Sequence, residues 1–126
     1  MAESEHGKSF RELFVWQQAM DLAKDCYLLT NNFPRAETYG ITSQIRRAAT
    51  SVPANIAEGT GRGSRKDFQQ FLRIAQGSLR ELETYLLLAP QVDLAASKQT
   101  DPIIDKVQSV STLLRKLIVS IEPKTD

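Results

Sequence analysis

Apolar residues recur along this chain at steps of three and four, and four separate runs carry that rhythm. Between about Phe10 and Asn32 one stripe is Leu13, Trp16, Met20, Ala23 and Tyr27. A second run holds Ile41, Ile45, Ala48, Val52 and Ile56. A third holds Phe68, Leu72, Ala75, Leu79, Leu82 and Leu86, and a fourth Ile103, Val107, Val110, Leu114, Leu117, Ile118 and Ile121. At 3.6 residues per turn each set falls on one helical face. Alternating apolar residues and Asn-Gly or Asp-Gly hairpin turns are absent, so the pattern predicts no strand. Four amphipathic helices with short connections predict an all-α, antiparallel up-down four-helix bundle.

The breaks between runs follow from local chemistry. Phe33-Pro34 ends the first helix and Gly59 is expected to stop the second. Ser64, with Asp67 three residues on, predicts the start of the third. Pro90 is expected to end or kink it near Leu88, and Thr100 or Asp101, followed by Pro102 in the first turn, to open the fourth. The first helix is unusual in carrying a second apolar stripe, Val15, Leu22, Cys26 and Leu29, displaced around its circumference. A helix buried from two directions fits an assembly better than an isolated bundle, so this stripe is expected at a subunit interface. Tyr85 widens the apolar face of the third helix, and Gly77 on its opposite side leaves room for another backbone; both join the expected interface. A neutral surface glycine is the alternative for Gly77.

Composition narrows the class without naming a function. The 126 residues suit one domain, expected over 10–122, with polar tails at 1–9 and 123–126. Net charge is +1, but residues 35–66 hold six basic side chains against two acidic ones. The single cysteine forms no internal disulfide, and no stretch is long and apolar enough for a membrane span; a cytoplasmic protein is expected. Cys26 and the single histidine, His6, lack partners at ligand spacing, so no metal, cofactor or histidine triad is expected, and the chain is read as non-enzymatic.

The polar chemistry concentrates between Gln44 and Phe68, in QIRRAATSVPANIAEGTGRGSRKDF. Pro53 removes the N–H that would bond the Ala49 carbonyl, and the Asn55 amide is placed to serve carbonyls freed there. Arg47 and Glu58 lie about 16 Å apart by helical rise, so each is expected to find a partner elsewhere or face solvent. The run Gly59-Thr60-Gly61-Arg62-Gly63-Ser64 is no P-loop, having neither the preceding strand nor the Lys-Ser/Thr ending. It feeds a helix N-terminus, where unpaired N–H groups and the dipole favour an anion. Arg62, Arg65 and Lys66, with Arg46 and Arg47, are therefore candidate phosphate-binding residues; a solvated connection is the alternative.

The segment QIRRAATSVPANIAEGTGR, with FRELFVWQQAMDLAKDCY before it and FLRIAQGSLRELETYLLLA after it, resembles the bacterial 23S rRNA-intervening-sequence proteins, also called the four-helix-bundle protein family. The resemblance implies a homo-oligomeric ring, typically a pentamer, and no known reaction. Related genes lie within ribosomal RNA intervening sequences. Similar accessory proteins of diversity-generating retroelements form basic pentamers that work with a reverse transcriptase. RNA or DNA, and a nucleic-acid-processing protein, are the partners this implies. The alternative is a protein–protein scaffold whose arginines serve subunit contacts alone.

Overall fold

A computed structural model describes residues 9–122. Among these it contains four α-helices and no strand: α1 Phe14–Thr30, α2 Ile41–Thr60, α3 Arg65–Gln91 and α4 Ser97–Ser120, with short 3-10 turns at Phe10–Glu12 and Arg35–Glu37. Of the expected tails, residues 1–8, His6 included, and 123–126 lie outside the described part. Ser9 caps the first 3-10 turn by accepting from the Arg11 N–H.

The expected first helix is split. Leu13 adopts extended backbone between the 3-10 turn and α1, a conformation that accompanies burial of its side chain. α1 ends where the Thr30 hydroxyl bonds back to the Cys26 carbonyl, three residues short of Phe33-Pro34.

α2 runs through Pro53 without a break, and Pro53 itself is buried. It also runs past Gly59 to Thr60, so that glycine is not the stop the sequence suggested. Its φ is not positive. A Cβ on Gly59 would lie 2.9 Å from Phe68 Cδ1 and 3.1 Å from Phe71 Cβ. Gly59 is thus required by the close approach of α2 and α3.

α3 begins as expected, with Ser64 Oγ accepting from the Asp67 N–H at 3.1 Å. It continues beyond Leu88, accommodating Pro90 in its last turn. Asp93 closes it at φ 62°, and the Leu94 N–H bonds the Ala89 carbonyl. α4 starts at Ser97, ahead of the expected caps, and Pro102 lies inside it. The added turn puts Thr100 in the core at 1% exposure, in line with Ile103 and Val107. Its start is held by the Gln99 side chain, which accepts from the Ala96 N–H at 2.9 Å.

α1 packs on α2 and α4, and α3 packs on the same two, around one apolar core. Polar side chains pin the seams. Ser51 and Ser78 share a hydrogen bond of 2.8 Å across α2 and α3. Gln76 donates to the Ser111 carbonyl and accepts from its hydroxyl, and Gln69 donates to the Ile118 carbonyl, joining α3 to α4. Lys106 reaches both Asp21 and Asp25 between α4 and α1. Those contacts lower the Asp21 carboxyl and raise the Lys106 ammonium from their usual ranges, chiefly through the hydrogen bonds between them.

The core overturns one expectation about α1. Val15, Leu22, Cys26 and Leu29, taken from the sequence as a subunit interface, are buried inside the chain's own core, with Leu22 and Cys26 at 0% exposure. Only small parts of Val15 and Leu29, 6% and 8% exposed, are left for a second copy to cover. The other stripe is divided: Leu13 and Ala23 are buried too, while Met20 is 46% and Tyr27 41% exposed and face outward. Burial also pushes the Cys26 thiol up to about 12, leaving an inert group.

Candidate nucleic-acid interface

The α2–α3 connection places its three cations in different surroundings. The Arg62 guanidinium lies 2.9 Å from Glu58 and stacks 4.8 Å from the centroid of the Phe71 ring, so it is held against the bundle. Arg65 and Lys66, in the first turn of α3, are exposed and make no ion pair or hydrogen bond with the described residues. The helix N-terminus beside them is partly satisfied already, by the Ser64 cap and by Asp67 in the first turn. What it offers an anion is two exposed cations on a glycine-flanked corner.

Arg46 and Arg47 do not join that corner. They stand near the start of α2, and from Arg46 to Thr60 the helix rises about 21 Å. Arg46 is an internal lock: Nε donates to Thr30 Oγ1 at 2.8 Å and a terminal nitrogen to Asn31 Oδ1 at 3.0 Å. Its guanidinium lies 4.5 Å from the Tyr27 ring centroid. Arg47 donates to Gln44 on its own helix. Arg47 and Glu58 thus both find partners locally on α2 or at its end, rather than on another helix.

Asn55 also departs from its expected partner. Its Nδ2 donates to the Ser51 carbonyl at 2.8 Å and to Ser51 Oγ at 2.9 Å, not to the Ala49 carbonyl that Pro53 leaves without a donor. Helical side chains lean back one turn, which brings the amide to Ser51 and not six residues back. Through the Ser51–Ser78 bond the group becomes a polar ladder tying α2 to α3.

Of the other expected interface residues, Tyr85 is half-buried against the core and its hydroxyl donates to Glu81, while Gly77 is exposed. A Cβ on Gly77 would meet nothing within 4 Å. The sequence reading missed a groove of about 420 Å³ between α1 and α2, lined mainly by Trp16, Met20, Tyr27, Pro53, Ala54 and Ala57. The signal was present in the alanines one turn apart on α2, opposite an aromatic stripe of the same period.

Among the described residues no group of three or more His, Cys, Asp or Glu could hold a metal, and no helix is long and apolar enough to cross a membrane. The geometry defines an all-α protein of four helices with a basic corner and an apolar outer groove. The family model for the 23S rRNA-intervening sequence protein matches residues 11–116, and the chain belongs to that family. Its fold is similar to a crystal structure from Bacteroides thetaiotaomicron, described as a protein with unknown function from the S23 ribosomal protein family. The TM-score is 0.74 at 27% sequence identity, over 82% of this chain and 97% of that one. No curated protein matches the chain significantly.

Proposed function

We propose that this protein is a non-enzymatic, cytoplasmic homo-oligomer, a ring of antiparallel up-down four-helix bundles of the pentameric kind. In this reading it takes RNA or DNA phosphates at the α2–α3 connection. The pairings of Gln69 with Ile118 and Gln76 with Ser111 support helices that alternate in direction, since one partner number rises as the other falls. The observation that carries the nucleic-acid reading is the pair Arg65 and Lys66, whose side chains are exposed and have no polar partner among the described residues, beside Gly61 and Gly63. One such corner binds weakly, but a ring repeats it, and several corners on one strand gain from effective concentration. Contacts made to phosphates alone carry little sequence preference. A nucleic-acid-processing protein is the natural further partner of such an assembly.

The test is a titration of the purified protein with labelled RNA and DNA over a range of salt. Binding is expected to weaken steeply with salt, because each neutralised phosphate releases counterions. Arg65→Gln with Lys66→Gln should flatten that slope while helical content and assembly size stay unchanged. Absence of binding at low salt would remove the reading. A scaffold would then take its place, a role favoured by the way Arg62 and Arg46 are already engaged within the chain.

A further inference from the structure

Two outward surfaces carry apolar side chains that none of the described residues covers, and they differ in shape and charge. The first is the α1–α2 groove. Trp16, Met20 and Tyr27 line one wall, while Ala54 and Ala57 leave space on the other. Its rim is cationic. Lys24 lines it, within electrostatic reach of Asp21 but in no ion pair among the described residues, and the Arg46 guanidinium over Tyr27 is held by neutral acceptors that leave its charge uncancelled.

The second surface is the outer stripe of α3, where Ile74, Gly77, Glu81 and Leu88 share a face by their spacing. Ile74 is 44% and Leu88 39% exposed, and between them in sequence stands the exposed Glu81, whose carboxylate accepts from the Tyr85 hydroxyl. Gly77 sits in the interior of a 27-residue helix, where glycine is unfavourable, yet among the described residues nothing beyond the helix's own backbone comes within 4 Å of where its Cβ would be. Gly59 shows what a helical glycine does when its own chain requires it. At Gly77 nothing among the described residues makes that demand.

We propose that these surfaces fit one another in different copies, the α3 stripe of one protomer lying in the α1–α2 groove of the next with Glu81 facing Lys24. This rests on the homo-oligomeric reading and specifies its interface. The lengths agree: Ile74 to Leu88 spans about 21 Å of helix and Trp16 to Tyr27 about 17 Å. Gly77 lets the stripe settle deeply, and Ile74 enters the space above Ala54 and Ala57. Groove against groove would oppose Lys24 to Lys24 and fill neither hollow, so the contact is head-to-tail. A head-to-tail contact closes into a ring when its rotation allows.

Sedimentation velocity on the full chain tests this with two variants at exposed positions, Ala54→Arg to block the groove and Gly77→Arg to block the stripe. Each alone should reduce the assembly to monomer with unchanged circular dichroism. An equal mixture should give a dimer and nothing larger, because each copy keeps one intact surface. Independently, Lys24→Glu and Glu81→Lys should each weaken assembly, and the double variant should restore it. A wild-type monomer at all concentrations would sink the homo-oligomeric reading and this interface with it. A wild-type oligomer that both blocking variants also form would leave that reading standing and overturn the interface. Variants that are monomeric both singly and mixed would overturn the head-to-tail pairing.

Discussion

The inward and outward faces of this molecule are built from similar residues in opposite surroundings. α1 carries Leu22 and Cys26 on one side and Met20 and Tyr27 on another; the first pair is sealed and the second lies open. α2 and α3 repeat the contrast with glycines, Gly59 pressed against Phe68 and Phe71, and Gly77 facing empty space. Residue type alone therefore does not tell stability from association. A side chain already surrounded by its own chain contributes to folding, and an equally apolar one left open is available to a partner.

The sharpest way to break the contrast is to truncate one residue on each face of α1. Leu22→Ala should cost about 2–5 kcal/mol, the usual range for a leucine cavity in a packed core. Met20→Ala, which removes a 46% exposed side chain, should cost well under half of that. Urea melts monitored by circular dichroism, with the protein dilute enough to be monomeric, make the comparison. Equal losses would mean that α1 has no inside and outside.

Next in size is Gly59→Ala. The added methyl meets the Phe68 ring at 2.9 Å and Phe71 Cβ at 3.1 Å, and both neighbours are tied into the α2–α3 seam. Overpacking of this kind costs about 1–3 kcal/mol, which exceeds the gain of about 1 kcal/mol in helix propensity. Thermal melting should fall, and a rise in the midpoint would show that the seam yields easily.

The contrast also explains how much could be read from the chain. The four helices, the core faces of α2, α3 and α4 and the Ser64 cap were legible because a 3.6-residue period and capping chemistry are local. The inward side of α1 was not, because both of its stripes are apolar and periodicity does not say where the other helices lie. Asp21 and Asp25, one turn apart and answered by Lys106 on α4, mark the α4 side, but the match spans more than eighty positions. Pro102 misled for a related reason. Proline marks a first turn well, yet burial of Thr100 extended α4 upstream of it. At the basic corner the candidate cations were legible, and the division among them was not. Arg62 is taken up by Glu58 through the i, i+4 geometry and by Phe71 across the connection, while Arg46 reaches Thr30 only once α1 and α2 are packed.

Cys26 gives a smaller and pH-dependent test of the sealed face. Its thiol, ordinarily near 9.0, is pushed up to about 12 by burial. Above the unfolded value the unfolded chain loses this proton while the folded chain keeps it, so the unfolded state binds fewer protons and stability falls as pH rises. The slope from this group approaches about 1.4 kcal/mol per pH unit between the two values. Cys26→Ala should abolish that part of the alkaline decline, measured by urea melts from pH 8 to 11. In the same fold the native thiol should be silent to Ellman's reagent at pH 8 and react once urea unfolds the chain.

The smallest expected effect has the opposite sign. Gly77→Ala adds a methyl that meets nothing within 4 Å among the described residues beyond its own helix backbone, so no neighbour has to move. It also removes a glycine from the interior of a 27-residue helix, which should stabilise the isolated chain by about 1 kcal/mol. Folding stability alone would therefore favour alanine at this position as strongly as it excludes alanine at Gly59. If the open face of α3 meets a second copy, the same methyl should weaken self-association while it raises the melting midpoint of the dilute protein. Paired measurements on one variant, melting at low concentration and sedimentation at high concentration, separate the two effects. A midpoint that rises with association untouched would make Gly77 an ordinary surface glycine and leave only the sealed face explained.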